Sequence, residues 1–220
     1  IHGNADAVNN TSADTYKSLM ISLRQDYESY LHSLTDDGDQ SLKMFVQQFS
    51  NATVQAGAAG ADVNLVIGNA QYEICRDNEE FILTGTQYAR PYVDKDHLSS
   101  NGYRTDGEIA GVSIAQFLNT GSVLALRPDD ANITQTSTEV VIPLLGGVGN
   151  AVIDTVRVSD PGNYGFRLVG ATITGVTIDA GRTIRIAKTG TATAVNYAYV
   201  GNRANMPGAT TGSRGCIRDS

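Results

Sequence analysis

Asp94 and His97 are the residues of this 220-residue sequence whose types and spacing best suit chemistry. A carboxylate and an imidazole three residues apart on one turn can converge. The carboxylate then accepts a hydrogen bond from one ring nitrogen, and the other nitrogen can take a proton from a nucleophile. Asp96, next to His97, is expected to point away. A solvated Asp-Lys-Asp-His turn with no catalytic role is the competing interpretation.

The residues around this pair resemble the last conserved block of the SGNH (GDSL-like) hydrolases. The matching positions are Asp94, His97-Leu98-Ser99 and Gly102-Tyr103. In that family the block carries the Asp and His of a Ser-His-Asp triad at the start of the final helix. The resemblance therefore implies that His97 is the general base and that Asp94 orients it.

A second match covers residues 2–7, whose sequence is His-Gly-Asn-Ala-Asp-Ala. It resembles the Gln-Gly-Glu-Ser/Ala-Asp-Ala block of the carbohydrate acetylesterase branch, which includes sialate O-acetylesterases. There the block lines the site and helps to form the oxyanion hole. Gly3 would offer a backbone N–H, and Asn4 a side-chain donor, to the developing oxyanion. Asn4 replaces the usual Glu of this branch, and Ala5 replaces the oxyanion-hole Asn of other members.

The resemblance implies a sugar substrate, and three nearby side chains suit one. Tyr88 and Tyr92 could stack on a pyranose ring, although packing at the loop edge is the alternative for both. Arg90 could hold the carboxylate of a sialic or uronic acid through a bidentate pair. No cofactor is expected, and the three histidines are too scattered along the sequence to predict a metal site.

The predicted function is that of a serine esterase that removes O-acetyl groups from the carbohydrate of cell-surface polysaccharide. The family carries its nucleophilic serine ahead of both motifs, so we expect that serine on an upstream segment and expect this fragment alone to be inactive. Ser113 is no substitute, because it falls inside a predicted helix rather than at a strand-to-helix elbow. The alternative is a glycan-binding or adhesion protein, or a structural virion protein, on a degenerate hydrolase fold.

Composition excludes several other classes. Hydrophobic residues make up 41% and charged residues 18%, which is typical of globular domains. A net charge of −7 argues against a nucleic-acid binder, and no apolar run approaches the roughly 18 residues of a membrane-spanning helix. Two cysteines exclude a disulfide scaffold. The expected partners are an acetylated saccharide and the upstream segment, with a homo-oligomer left open. The ending resembles those of acetylesterase-like proteins of bacteria and phages, which favours an extracellular or virion-associated location.

Two domains are predicted to meet near residue 120. Residues 1–120 hold 16 acidic and 7 basic side chains, whereas residues 121–220 hold 7 and 9. The first part alternates helix and strand signals, which predicts an α/β domain with a parallel sheet. The resemblance implies that this domain is the C-terminal half of a three-layer SGNH-type fold. The loop at residues 85–99 would lie at its ligand-binding rim. The predicted elements are helices starting near residues 12, 62 and 100 and strands at Leu42–Phe49 and Phe81–Thr84. Ser12 and Asp62 are predicted to cap the first two helices, and Gly107 and Gly111 to let the third approach a neighbour closely.

Residues 121–220 are predicted to form a β-sandwich-like accessory domain. Short β-rich runs alternate there with Gly, Asn, Asp and Pro at a spacing near ten residues. The run Gly146–Gly149 is predicted to be a turn, because it lacks the Lys-Ser/Thr and the helix of a phosphate-binding loop. The segment Met206–Ser220 is predicted to be an irregular tail. The predicted strands are Val123–Leu126, Val140–Leu144, Val152–Val158, Tyr164–Val169, Thr172–Ile178, Thr183–Ala187 and Val195–Val200.

Overall fold

The computed structural model describes residues 3–9, 11–35, 38, 41–50, 66–94, 97–123, 125–199 and 206–220, with only the backbone of Asn4 and Val8. The chain divides into two compact units. The first comprises Ile1–Gln87 and Tyr103–Val123, and the second comprises Tyr88–Gly102 and Leu124–Ser220. The loop that carries Asp94 and His97 thus groups with the strand-rich part of the chain.

Four helices lie in the described part of the N-terminal 120 residues. Their bounds are α1 Asn4–Val8, α2 Ala13–Leu34, α3 Val66–Asp77 and α4 Ser100–Thr120. The predicted cap of α2 is confirmed, because the Ser12 hydroxyl accepts a hydrogen bond from Thr15 N at 3.2 Å. The predicted cap of α3, Asp62, lies outside the described residues.

Two strands of the first unit, β1 (Met44–Gln48) and β2 (Phe81–Thr86), pair in parallel. Both lie where the sequence predicts strands. Buried Gln71 ties the end of β1 to two helices, since its Oε1 accepts from Phe49 N at 3.0 Å and its Nε2 donates to the Tyr16 hydroxyl at 3.1 Å. Apolar side chains of α2, α3, β1 and β2 form the core around this link: Tyr16, Met20, Val46, Phe49, Ile67, Ala70, Ile74 and Phe81.

The predicted fold class is wrong. The β1–β2 pair is the one parallel pairing among the described strands, and the other sheets are antiparallel, so the parallel sheet of an SGNH half is not formed. The helix and strand signals locate elements along the chain, but they carry no information about which strands pair. The sandwich-like character predicted for the C-terminal part is compatible with the observed sheets.

The apolar stripe of α2 packs over only part of its length. Tyr16 and Met20 are buried, whereas Tyr27, Tyr30 and Leu34 are 54%, 62% and 64% exposed. The later turns of the helix therefore extend past the core, although the same stripe continues along them. The sequence pattern predicts this face, but it does not fix how much of the face is covered.

Helix α4 packs on the parallel pair through apolar contacts. The Phe117 ring meets Phe45 of β1 edge to face at 5.7 Å. Gly107 and Gly111 were expected to permit close approach to a neighbour. That expectation is wrong, since no described atom lies within 4 Å of the position that a Cβ would take at either residue.

The strands of the second unit are all antiparallel within its described residues. A five-stranded sheet has the order β3-β5-β8-β7 with β4 paired to β5, and β6 pairs with β9 separately. Its core includes Val140, Ile142, Phe166, Leu168, Ile184 and Ile186. The strand bounds are β3 Arg127–Pro128, β4 Thr134–Gln135, β5 Glu139–Leu145, β6 Ala151–Ile153, β7 Phe166–Asp179, β8 Thr183–Tyr197 and β9 Ile217–Asp219.

Four of the predicted short strands form two long ones. The strand β7 starts at Phe166 and joins most of the predicted strand Tyr164–Val169 to the predicted strand Thr172–Ile178. The strand β8 continues without a break from Thr183 to Tyr197. Glycines that signal turns in the sequence are absorbed as irregularities of the ladder, where the β7–β8 register shifts near Gly170 and Gly175. Bulges twist a strand, which suits the exposed end of a long ribbon.

The segment Met206–Ser220 is not a loose tail. Residues 212–216 are buried, and β9 pairs with β6. Arg214 is 9% exposed and donates from Nε to Ser159 O at 2.7 Å and from Nη1 to Gly212 O at 2.8 Å. The chain here lacks regular structure for most of its length, yet its backbone and one buried guanidinium contribute to the interior of the unit.

Asp154 links the end of β6 to β9 and should make stability depend on pH. Its Oδ1 accepts from Arg157 N at 2.9 Å, and its Oδ2 accepts from Arg218 Nε at 2.5 Å. The hydrogen bond from Arg157 N, followed by the one from Arg218, lowers the pKa of this carboxyl. Because the folded pKa lies below the unfolded value, the stabilisation is present above about pH 4 and is lost as pH falls through the folded pKa.

We therefore expect Asp154→Asn to lower the melting temperature at pH 7, and the deficit to shrink as pH falls below about 4. Thermal unfolding followed by circular dichroism between pH 3 and pH 7 measures this. Asp26→Asn, on the exposed surface of α2, is the matched control. A deficit that stays constant over the whole range would contradict the assignment.

Candidate functional site

Residues 91–94 and 97–99 form two short antiparallel arms, which we call the hairpin. Val93 N donates to His97 O at 3.0 Å, and Ser99 N donates to Pro91 O at 2.8 Å. Tyr92 and Leu98 form a bridge between the two arms and are 7% and 4% exposed. Two buried side chains therefore hold the arms of the hairpin in place, and Asp94 and His97 lie at the far ends of these arms.

The predicted convergence of Asp94 and His97 is confirmed. His97 Nδ1 lies 2.9 Å from Asp94 Oδ2 and 3.1 Å from Asp94 Oδ1. The same carboxylate accepts from His97 N at 2.7 Å, which closes the turn. A proton on Nδ1, donated to the carboxylate, leaves the lone pair on Nε2. The pair is oriented as a general base would require.

The pair lies on the surface of the molecule. The side chain of Asp94 is 54% exposed and that of His97 is 65% exposed. A substrate or another polypeptide can therefore reach the imidazole directly. Such exposure also weakens the electrostatic attraction between the two side chains through solvent screening, so the contact orients the ring more than it stabilises the fold. Lys95 and Asp96 lie outside the described residues.

The two tyrosines predicted to stack on sugar are both engaged within the second unit. Tyr92 is 7% exposed, so its ring is packed and presents no open face to a saccharide. Tyr88 is half-buried, its ring meets Tyr197 edge to face, and the two hydroxyls are 3.4 Å apart. Both rings thus serve packing, which was the alternative interpretation. Arg90 is half-buried.

Gly3 and Asn4, the predicted oxyanion residues, belong to the first unit. Gly3 precedes α1, is buried, and has a φ of 111°. A Cβ at this position would lie 3.0 Å from Ile67 Cγ2 and 3.1 Å from Gln71 Nε2, so a glycine is required by packing as well as by conformation. Asn4 is the first residue of α1. Their role toward an oxyanion stays a prediction.

A polar cluster at the carboxyl end of the β1–β2 pair was not predicted. Asp106 is 4% exposed, and its Oδ2 accepts from Gln87 Nε2 at 2.7 Å. Gln47 Nε2 donates to Asp106 O at 3.3 Å. The signal in the sequence is that polar side chains end β1 and directly follow β2. These hydrogen bonds join α4 to both strands.

Backbone amides of the turn at Gly146–Gly149 bind the carboxylate of Asp219. Val148 N donates to Asp219 Oδ2 at 2.6 Å, and Gly149 N donates to Asp219 Oδ1 at 2.8 Å. No helix follows this run, which confirms the predicted turn. The Asp219 carboxylate therefore occupies the backbone N–H groups that a phosphate would otherwise bind. The sequence gives no sign of this partner, which is 70 residues away.

Neither cysteine has the properties of a reactive thiol. Both are free, and burial raises the pKa of the Cys75 thiol to about 12. Cys216 is buried, and its Sγ donates to Val158 O at 3.2 Å. Within the described ranges, no group of three His, Cys, Asp or Glu side chains could hold a metal ion.

Comparison of the chain with protein-family models, with curated proteins and with solved structures found no match. None of the helices in the described part of the chain combines the length and apolar character needed to cross a membrane. The hairpin and the sequence motifs are therefore the features of the chain that indicate a function.

Proposed function

We propose that this chain contributes the acid–base pair of a serine esterase that removes O-acetyl groups from carbohydrate. One observation carries the proposal, namely that the Asp94 carboxylate holds His97 Nδ1 at 2.9 Å on an accessible hairpin. The resemblance of residues 2–7 to the carbohydrate acetylesterase block supplies the substrate class. The proposal uses the local geometry of the hairpin and does not depend on a parallel-sheet hydrolase fold.

In the proposed reaction, the serine that the resembling family carries ahead of both motifs attacks the acetyl carbonyl carbon. His97 Nε2 takes the hydroxyl proton and returns it to the departing sugar oxygen, which leaves an acetyl-enzyme. The same nitrogen then takes a proton from water, whose oxygen attacks the acetyl carbon. The proton returns to the serine oxygen as acetate leaves. Asp94 keeps the tautomer correct and stabilises the imidazolium that forms at each step.

The half-buried Arg90 adds a finer proposal about the sugar. Arg90 directly precedes the hairpin in the sequence. A guanidinium suits a carboxylate, because two parallel hydrogen bonds fix the orientation of the acid as well as its charge. We propose on this basis that the acetylated sugar is an acidic one. Tyr92 is left out of the proposed binding site because it is buried.

The test is to treat the native protein, isolated from its source, with a fluorophosphonate probe and to map the label by peptide mass spectrometry. We expect the label on one serine outside the 220 residues, together with acetate release from acetylated polysaccharide. A purified serine esterase is the positive control. Absence of label with an active control, or saccharide binding without acetate release, would overturn the proposal and favour a binding or structural protein.

A further inference from the structure

We propose that Gly102 is a positioning residue for the Asp94–His97 pair, because its missing side chain lets the first turn of α4 close the base of the hairpin. This inference rests on the proposed function for its catalytic meaning. Its structural content, that Gly102 holds the geometry of the pair, can be tested without any assay of activity.

Gly102 lies against the point where the hairpin closes. A Cβ at Gly102 would overlap the carbonyl oxygen of Pro91 and would lie 2.9 Å from Leu98 Cβ. The Pro91 oxygen is the acceptor for Ser99 N, the hydrogen bond at the base of the hairpin. Leu98 is one of the two buried residues of the Tyr92–Leu98 bridge. A methyl group at residue 102 therefore meets two groups that hold the arms together.

A second contact ties the same glycine to the hairpin. The Ser99 hydroxyl accepts from Gly102 N at 3.1 Å, so Ser99 acts as the N-cap of α4. Ser99 thus bonds through its own N–H to Pro91 and through its hydroxyl to Gly102. The helix start and the hairpin base form one hydrogen-bonded unit, with the backbone of Gly102 in its centre.

The backbone of the hairpin links this base to the Asp94–His97 pair. Asp94 and His97 are both more than half exposed. The hydrogen bond from Val93 N to His97 O, next to the pair, lies on the same ladder as the one at the base. Displacement of the Pro91 oxygen would shift one arm relative to the other. A shift of about 1 Å would break the Nδ1 contact and can lower a catalytic rate about 100-fold.

The test compares Gly102→Ala with Gly107→Ala in the full-length protein. Gly107 lies on the same helix, and no described atom stands near its Cβ position. For Gly102→Ala we expect amide exchange of Ser99 and Val93 to accelerate by about tenfold or more. Long-range proton–nitrogen NMR spectra should show that His97 loses its preference for the Nδ1–H tautomer. In deacetylation, kcat should fall while KM stays within about twofold. Gly107→Ala should leave all four readouts unchanged.

Ser99→Ala keeps the inference testable if Gly102→Ala does not fold, because it removes only the cap. It should change the same readouts in the same direction by a smaller amount, and Ser99→Thr should restore them. Unchanged Ser99 exchange and an unchanged His97 tautomer in folded Gly102→Ala would overturn the positioning role. Full deacetylation by a His97→Ala variant would overturn the proposed function alone, since the exchange and tautomer readouts do not depend on it.

Discussion

His97→Ala is expected to lower kcat for deacetylation by roughly 1,000-fold or more in the full-length protein, with little change in KM. Removal of a general base costs about 100- to 10,000-fold, and the residues of a catalytic triad act as a unit. His97 Nδ1 is already held by Asp94 at 2.9 Å, so the imidazole enters the reaction in the required orientation. Acetate release from acetylated polysaccharide under saturating substrate measures the effect.

His32→Ala is the matched control for this substitution. His32 lies in the last turn of α2, and its replacement removes the same side chain from a different element. Asp94→Asn should also lower kcat strongly, because an amide no longer selects the Nδ1–H tautomer. Equal activity of the His97→Ala and His32→Ala proteins would show that the hairpin has no part in the reaction.

Gly165→Ala is expected to destabilise the second unit by about 3 kcal/mol, since overpacking of an interior typically costs about 1–3 kcal/mol and an unfavourable φ adds about 1 kcal/mol or more. Gly165 has a φ of 97°, which an L side chain rarely adopts. Its Cβ would lie 2.5 Å from Arg214 O and 2.6 Å from Gly215 Cα, so the clash is with backbone and no rotamer relieves it.

Hydrogen exchange of peptides from β7 and β8 measures this effect within the second unit. A loss of about 3 kcal/mol corresponds to roughly a 100-fold faster exchange of the most protected amides. Gly175→Ala is the control within β7, because the nearest atom to its Cβ position is Ala187 Cβ at 3.9 Å. If both variants keep the protection of the native protein, the close crossing of Gly165 and Gly215 does not stabilise this unit.

Tyr197 makes contacts in the second unit that the sequence does not predict. Its hydroxyl accepts from Ile217 N at 2.7 Å, and its ring packs against Phe166 and Tyr88. A Cβ at Gly215 would lie 2.6 Å from Tyr197 Cε2, so this glycine is needed for the ring to fit. The sequence places Tyr197 in a strand and Gly215 in a tail. Their contact depends on a chain reversal that no local pattern encodes.

The local features of this protein follow from its sequence. The cap of α2 at Ser12, the two strands of the first unit and the approach of Asp94 to His97 all follow from spacings of a few residues. Within that range, helical turns, strand alternation and tight turns bring fixed positions together whatever the rest of the chain does. Sequence patterns alone were sufficient to predict these features correctly.

Which elements meet depends on the tertiary fold. Among the described strands, β1 and β2 alone pair in parallel, Tyr92 is buried, Asp219 binds the glycine turn and Gly102 lies against Pro91. An alternating apolar pattern is compatible with many partner strands, and a glycine is compatible with many close neighbours, so neither identifies its partner. Such choices are made by the balance of long-range packing against chain entropy, which is a property of the whole fold.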